Sequence, residues 1–205
     1  MPIDLSTMMA LAQTCAPSVA ASTLLAVAQA ESGFEPLAIG VNGRRPIQII
    51  ATSKAGAVAT AERLVAAGGA PDLGIAQISV RNLAGLGLSV EGAFDPCRNL
   101  AASARVLAAG YDRAEPQPGS EQAALRTALS YYNTGDPQRG FRNGYVAKVT
   151  AAAGRIVPAL QANTHQKLPA DPNPAPRPPA WDVFANAARP TAAFVFSSQP
   201  SGDDR

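Results

Sequence analysis

The sequence predicts a mainly α-helical domain with a small β-hairpin insert and a disordered, proline-rich C-terminal tail. Alanine is abundant, valine and isoleucine are modest, and aromatic residues make up only 5% of the 205 residues, a composition that favours helices. A hairpin pattern interrupts the helical segments once, and a run of prolines lies near the end of the chain. This length can bury one good core, so we expect a domain over residues 1–162 and a tail over 163–205.

Six segments have the periodicity or the capping residues of helices. In the second of them, Leu24, Leu25 and Val27 can form a buried stripe. Pro17 suits the first turn of that helix, and Gly33 suits the left-handed residue that ends one. The predicted helices are Leu5 to Cys15, Pro17 to Ser32, Ala55 to Ala67, Asn99 to Tyr111, Ser120 to Tyr132 and Tyr145 to Leu160.

The region between the second and third helices predicts a β-hairpin. Two short apolar runs, 38–41 and 47–50, flank Asn42-Gly43, a dipeptide typical of tight hairpin turns. Pro46 lacks a backbone donor and therefore indicates an edge strand. Further along, residues 72–79 predict a compact turn around Gly74.

Composition excludes several classes of function. The formal net charge is only +2, so there is no basic stripe of the kind that binds nucleic acid. No segment is apolar and long enough to span a membrane. The single histidine, His165, lies in a polar segment, which argues against Ser-His-Asp or Cys-His catalysis. The N-terminus, Met-Pro-Ile-Asp-Leu-Ser, lacks the pattern of a signal peptide.

The predicted tail begins after Asn163 and has six prolines close together between residues 169 and 179. Such a stretch cannot build a core. Four aromatic residues within or beyond it are compatible with a short docking motif or with an ordinary disordered end: Trp181, Phe184, Phe194 and Phe196.

One acidic residue falls where the second predicted helix stops. Glu31 precedes Ser32-Gly33 and so lies in the last helical turn, where the negative end of the helix dipole disfavours an anion. If the side chain also faces an apolar cleft, both effects favour the protonated form of the Glu31 carboxyl group. A carboxyl group that is neutral near pH 7 is what a general acid needs, as in acid-catalysed cleavage of glycosidic bonds.

Three further pieces of sequence suit a sugar-binding site. Gly74-Ile75-Ala76-Gln77-Ile78 combines a glycine that permits close backbone approach with an amide for sugar hydroxyl or N-acetyl groups. Phe94-Asp95-Pro96-Cys97-Arg98-Asn99-Leu100 predicts a turn that caps the following helix. Tyr131-Tyr132-Asn133-Thr134-Gly135 offers aromatic rings that can stack on a sugar and an amide that can bind an acetamido group.

Together these motifs resemble the lytic transglycosylases with a lysozyme-like (SLT) catalytic domain, and in particular the VirB1-type members of type IV secretion systems. The resemblance covers roughly residues 11–156. The family's Glu-Ser pair matches Glu31-Ser32, its Gly-Leu-Met-Gln-Ile motif matches residues 74–78, and its Ala-Tyr-Asn-Ala-Gly motif matches residues 131–135. The chain departs from the family at Ala76, Tyr131 and Thr134, which we expect to alter pocket shape more than the reaction.

The resemblance implies a lysozyme-like fold and a role for each matching residue. Glu31 would be the catalytic acid, and Gln77, Tyr132 and Asn133 would bind substrate. Tyr132 would also hydrogen-bond to Glu31 or orient it. Ser32 would either lie beside the substrate or only cap the helix end.

The implied partners are peptidoglycan glycan strands and components of a type IV secretion system. Neither a metal nor an organic cofactor is needed, and the implied location is the periplasm. That location bears on the two cysteines, Cys15 and Cys97, which are either buried free thiols or a disulfide. An oxidising periplasm favours the disulfide.

The reaction type depends on whether a second carboxylate assists Glu31. Glu35 is expected to be structural, since Gly33 and Pro36 turn the chain away there. Asp72 and Asp95 each have a turn context that explains them without catalysis. A lytic transglycosylase, which needs only one carboxyl group, is therefore favoured. The alternatives are a hydrolytic muramidase on the same fold and an inactive glycan-binding scaffold that recruits secretion components.

Overall fold

A computed structural model describes residues 1–43 and 46–166 of the chain, except for the side chains of residues 161–166. The predicted tail lies almost entirely outside the described residues. Its disorder, its aromatic residues and the division at residue 162 therefore stay predictions.

The described residues are mainly helical with a small antiparallel sheet, which confirms the predicted fold class. Short 3₁₀ turns connect some of these elements. In chain order, the helices and strands are Leu5–Cys15 (α1), Ala21–Ser32 (α2), Ala38–Val41 (β1), Ile47–Ile50 (β2), Lys54–Ala66 (α3), Asp72–Leu73 (β3), Ile78–Ser79 (β4), Pro96–Arg113 (α4), Glu121–Thr134 (α5), Arg139–Arg142 (α6) and Tyr145–Gln166 (α7).

Helix α2 is the central helix of the domain. Most of its residues are buried, on several faces rather than along one stripe, as expected of a helix enclosed by others. It begins at Ala21, so the prediction that Pro17 starts the helix is wrong. Pro17 instead lies in the turn that joins α1 to α2, where its fixed φ is equally suitable.

The sheet has four antiparallel strands in the order β2-β1-β3-β4. Strand β2 lies at the edge, as Pro46 predicted, and β1 pairs with it over residues 38–41 and 47–50. The turn predicted over residues 72–79 is confined to residues 74–77, because both ends of that range form the two-residue strands β3 and β4. Strands this short show too little alternation to be found from sequence.

Two hydrophobic clusters build the core. One joins α1, α2, α4, α5 and α7, and the other lies between the sheet, α3 and the turn that contains Phe94. Tyr132 packs against both clusters. The cleft described below therefore lies where a helical lobe meets a sheet lobe.

A disulfide joins Cys15 to Cys97, with an Sγ–Sγ distance of 1.96 Å. It ties the last residue of α1 to the first turn of α4, which confirms the preferred pairing. The bond closes a sequence separation of 82 residues, and in the chain-entropy model a loop of that length contributes about 4 kcal/mol of stability.

Candidate active site

Glu31 occupies the last turn of α2 and faces a cleft of about 1060 Å³. Gly33 ends the helix in the left-handed conformation, with φ 65°, as predicted. The amide of Gln48, on strand β2, donates to the carbonyl oxygen of Glu31 at 3.2 Å. Both the end of the helix and the edge of the sheet therefore fix the backbone of this residue.

Burial raises the pKa of Glu31 to about 7, and the negative charge of Asp72 adds to the increase. A hydrogen bond from Tyr145 and the positive charge of Lys148 act in the opposite direction. Desolvation is the largest of these effects, because the charged form loses more hydration than the neutral form. The carboxyl group is thus partly protonated near neutral pH, as the sequence predicted for a general acid.

Tyr145, in the first turn of α7, donates a hydrogen bond of 2.6 Å from its hydroxyl to Oε1 of Glu31. The expected hydrogen bond from Tyr132 to Glu31 is therefore wrong. The two partners lie 114 residues apart, and no local motif around Tyr145 indicated a site. One signal was available: Tyr145 lies on the buried face of α7 with Val149 and Ile156, and a phenol there normally needs a polar partner.

Tyr132 lines the cleft, but its hydroxyl is used elsewhere. It donates to the carbonyl oxygen of Ala76 at 2.7 Å and lies 3.0 Å from the hydroxyl of Ser103. Burial raises the pKa of the Tyr132 phenol far above its ordinary value. The side chain therefore links α5 to the 74–78 turn and presents a neutral aromatic surface to the cleft.

Ser32 is buried beside Glu31, and its hydroxyl donates to the carbonyl oxygen of Ile75 at 2.7 Å. This bond ties the end of α2 to the 74–78 turn. The geometry gives Ser32 a structural role, while a contact with substrate stays a prediction.

Gln77 lines the cleft with an unusual backbone conformation, φ 51°. Its amide nitrogen donates to the carbonyl oxygens of Gly74 at 2.7 Å and Ala38 at 3.1 Å. A Cβ atom on Gly40 would lie 2.5 Å from Oε1 of Gln77, so glycine at position 40 leaves room for the side chain. The amide is held rigidly, and its binding of substrate stays a prediction.

The buried side chain of Asn99, on α4, supports the whole 74–78 turn. It donates to the carbonyl oxygens of Leu73 and Ala93 and accepts from the backbone nitrogen of Ala76, all within 2.9 Å. Gly74 has φ 76°, and a Cβ there would lie 2.1 Å from the oxygen of Ala93. Only glycine fits this close approach.

Asn133 is exposed at the end of α5 and lines the cleft. Its Oδ1 accepts a hydrogen bond of 2.8 Å from Asn143, in the loop that precedes α7. The binding of an acetamido group by Asn133 stays a prediction.

Asp72 also lines the cleft, as does the exposed Asp112. The interpretation of Asp72 as a turn residue is wrong, because it lies on β3 between Gly40 of β1 and Ser79 of β4. Burial raises its pKa, while hydrogen bonds from Asn42 and Ser79 and the charge of Arg81 lower it. The Asn42 bond measures 2.6 Å.

The other two acidic candidates are structural, as expected. The carboxylate of Glu35 pairs with the amino group of Met1 at 3.0 Å. Asp95 caps α4 by accepting from the backbone nitrogen of Arg98 at 2.9 Å. Neither residue lines the cleft.

The described part of the chain has no group of three or more metal-binding side chains that could hold an ion. Within the same residues, no helix is long and apolar enough to cross a membrane.

A carboxyl group with a raised pKa, hydrogen-bonded by a tyrosine and lining a cleft, has the properties that an acid catalyst of the glycosidase type needs. The comparisons agree with this class. Residues 8–152 match the model of the transglycosylase SLT domain. The chain therefore belongs to the SLT family of lytic transglycosylases.

Its relatives include protein virB1 of Agrobacterium fabrum strain C58, 41% identical over 84% of this chain and 68% of its own length. Protein virB1 of Rhizobium radiobacter is 40% identical over 87% of the chain and 72% of its own. Type IV secretion system protein virB1 of Brucella abortus strain 2308 is 45% identical over 70% of this chain and 62% of its own length. The chain thus spans about two thirds of these relatives. No solved structure matches it significantly.

Proposed function

We propose that this chain cleaves the β-1,4 bond between N-acetylmuramic acid and N-acetylglucosamine in peptidoglycan and forms a 1,6-anhydromuramyl product. The observation that carries the proposal is Glu31, whose pKa is raised to about 7 in the cleft. Membership of the transglycosylase family supplies the class of reaction.

In the first step Glu31 donates its proton to the glycosidic oxygen, and the bond from that oxygen to the muramyl anomeric carbon breaks. The leaving N-acetylglucosamine carries the proton away as a hydroxyl group. Positive charge then develops on the muramyl ring. The substrate's 2-acetamido group, the carboxylate of Asp72 and the dipoles of the cleft are the groups available to stabilise it.

In the second step Glu31, now a carboxylate, takes the proton from the muramyl 6-hydroxyl. The oxygen attacks the anomeric carbon and closes the anhydro ring, which regenerates the protonated acid. One residue serves as acid and then as base, so the reaction needs no water as nucleophile and no second carboxylate as base or nucleophile. The hydrogen bond from Tyr145 stabilises Glu31 in its anionic state between the two steps.

Gln77, Tyr132 and Asn133 are the proposed substrate-binding residues, because all three line the cleft beside Glu31. Tyr132 contributes a ring surface, and the two amides contribute polar groups for the acetamido and hydroxyl substituents of the glycan. Ser32 holds the 74–78 turn through its bond to Ile75, and a contact of Ser32 with substrate stays a prediction.

A hydrolytic muramidase is the second candidate, and Asp72 is the observation that favours it. A hydrolase uses a second carboxylate as nucleophile or as the base that activates water. Asp72 shares the cleft with Glu31 and is close enough for its charge to affect the pKa of Glu31.

The biological setting is proposed from the relatives. Proteins named virB1, one of them described as a type IV secretion system protein, are 40–45% identical to this chain. We infer local opening of the cell wall in the periplasm, so that a secretion or conjugation apparatus can cross the envelope. The disulfide fits an oxidising compartment.

The test is a digest of purified peptidoglycan with the wild-type chain, Glu31→Gln and Glu35→Gln, analysed by mass spectrometry. Glu35 is the matched control, because it lies four residues from Glu31 in sequence and does not line the cleft. We expect anhydromuramyl products from wild type and Glu35→Gln and none from Glu31→Gln.

Two other outcomes contradict the proposal. Reducing-end muramyl products indicate a hydrolase, and Asp72→Asn then becomes the next variant to assay. Binding of peptidoglycan without any soluble product from wild type indicates an inactive scaffold.

A further inference from the structure

Three arginines line the part of the cleft built by α4 and by the segment after β4: Arg81, Arg105 and Arg113. We call them the arginine wall. From their position we infer that the arginine wall binds carboxylate groups carried by the muramyl residues of the substrate. This inference rests on the proposed function, since it names the part of peptidoglycan that the cleft recognises.

Helix α4 presents the wall through its spacing. Arg105, Ala109 and Arg113 lie at positions i, i+4 and i+8, so they form one stripe along the helix surface. All three are exposed and line the cleft. Asp112 lies beside the stripe and also lines the cleft, which leaves an excess of positive charge on this side.

Two of the guanidinium groups are already held in position. Arg105 donates to the carbonyl oxygen of Leu86 at 2.8 Å. The guanidinium carbon of Arg113 lies 4.2 Å from the ring centroid of Tyr131, a cation–π distance. Neither makes an ion pair within the described residues. Their side chains are thus partly ordered while donors remain for a ligand, which lowers the entropy cost of binding.

The chemistry of the substrate explains why cations line this cleft. The glycan backbone of N-acetylated sugars is neutral, so its hydroxyl and acetamido groups have no charge for three arginines to bind. The muramyl residues differ, because each bears a lactyl group that ends either in a free carboxylate or in a peptide stem with several carboxylates. The planar guanidinium fork matches a carboxylate in two parallel hydrogen bonds.

The position of the wall also suits this role. Arg113 stacks on Tyr131, the neighbour of Tyr132, and Tyr132 packs next to the turn that carries Gln77. Glu31 and the arginine wall line the same cleft, so a glycan bound at Glu31 can extend along α4. The wall would make the cleft selective for muramyl-containing glycan over neutral chitin-like chains.

The experiment compares the wild-type chain with the double variant Arg105→Gln/Arg113→Gln on three preparations of peptidoglycan. The first is native sacculi, the second is sacculi with carboxylates converted to amides, and the third is glycan stripped of its stems by an amidase. Arg81 is left intact, because its charge also acts on Asp72. The readouts are kcat/KM for product release and the fraction of protein that sediments with the glycan.

The matched control is Arg126→Gln/Arg155→Gln, which makes the same change of net charge at exposed positions outside the cleft lining. We expect the wall variant to lose about tenfold in both readouts on native sacculi and the control to lose little. On amidated sacculi we expect wild type to fall to the level of the wall variant. Melting temperatures establish that both double variants are folded.

The third preparation identifies the source of the carboxylate. The amidase removes the carboxylates of the stem and frees the lactyl carboxylate. A loss that disappears on stripped glycan therefore assigns the contact to the peptide stem, and a loss that persists there shows that the wall binds the lactyl carboxylate. The inference would be overturned if the wall variant lost nothing relative to wild type on native sacculi. It would also be overturned if the wall variant lost as much relative to wild type on amidated sacculi as on native ones. If wild type binds but releases no product, the proposed function fails, and sedimentation alone still tests the wall.

Discussion

The end of helix α2 and strand β3 each direct a carboxyl group into the same cleft, and the two groups are held differently. Burial raises the pKa of both Glu31 and Asp72. Among the described residues, Tyr145 donates the side-chain hydrogen bond to Glu31, and the pKa of Glu31 still rises to about 7. Asp72 has hydrogen bonds from Asn42 and Ser79, with the charge of Arg81 nearby.

This difference gives the two carboxyl groups different surroundings, because more donors and positive charge oppose the effect of burial at Asp72 than at Glu31. Donors and cations around a carboxylate favour its charged form and oppose desolvation. Asp72, with three such neighbours, is better suited to stay ionised and to raise the pKa of Glu31 by repulsion. Two carboxyl groups in one cleft therefore have different tasks because their neighbours differ.

The largest expected effect is on catalysis and compares Glu31→Gln directly with Asp72→Asn. We expect Glu31→Gln to lower kcat by about 10³-fold or more, since it removes the proton donor. Asp72→Asn should lower kcat by less than about tenfold, because it removes only an electrostatic contribution. Release of products from purified peptidoglycan is the measurement. Equal losses in the two variants would make Asp72 a reacting group and the enzyme a hydrolase.

A smaller effect is expected for Tyr145→Phe, which removes the hydrogen bond to Glu31. That bond favours the anion, so its loss raises the pKa of Glu31 further above 7. Wild-type activity should fall as pH rises through about 7, where Glu31 loses its proton. In the variant, this decline should move up by about 0.5–1 pH unit, and kcat should fall about tenfold.

Tyr132→Phe is the control for that pH profile. The Tyr132 hydroxyl bonds to Ala76 and Ser103 rather than to Glu31. Removing that hydroxyl should therefore leave the decline of activity near pH 7 unchanged. An equal displacement in both variants would mean that the Tyr145 hydrogen bond is not what tunes Glu31.

Glu31 also makes stability depend on pH. Its pKa is 4.5 for an ordinary glutamate and about 7 in the folded protein, so its contribution is present below 4.5 and is lost as pH rises through 7. Glu31→Gln does not titrate. We expect the variant to gain about 1–2 kcal/mol over wild type between pH 4.5 and 8, a value reduced for the partial exposure of the residue.

Unfolding by denaturant at several pH values measures this gain. Asp72→Asn and Glu35→Gln provide comparisons at other acidic positions. A constant difference between Glu31→Gln and wild type across the pH range would contradict the raised pKa.

The smallest expected effect is the influence of Asp72 on Glu31. Removing the negative charge with Asp72→Asn should lower the pKa of Glu31, because the repulsion that raises it is gone. The decline of activity should then move down by about 0.3 pH unit. Tyr145→Phe moves the decline of activity to higher pH instead. The two variants together therefore test whether Asp72 and Tyr145 both act on the carboxyl group of Glu31.

Local sequence was sufficient to predict that Glu31 lies at the end of a helix. Glu31, the apolar residues before it and Gly33 after it all lie within one helix, whose end is set by backbone chemistry. The hairpin and its edge strand were also predicted, because Asn42-Gly43 and Pro46 act locally.

What the sequence did not reveal depends on packing between distant elements. Tyr145 reaches Glu31 only because α7 packs against α2. Asp72 faces the cleft only because β3 pairs with β1, and a two-residue strand has no pattern to find. Ser120 shows the limit even of a local rule: serine is a preferred N-cap residue and Ser120 directly precedes α5, but its hydroxyl bonds within the preceding turn rather than capping the helix.

Asn99 has a consequence for anyone who wishes to redesign this enzyme. Its one amide holds a backbone group before the 74–78 turn, one within it and one just before α4. The turn is therefore not a self-contained module, since its shape depends on a helix that begins at Pro96. A graft of residues 74–78 onto another scaffold would need to bring Asn99 and the start of α4 with it.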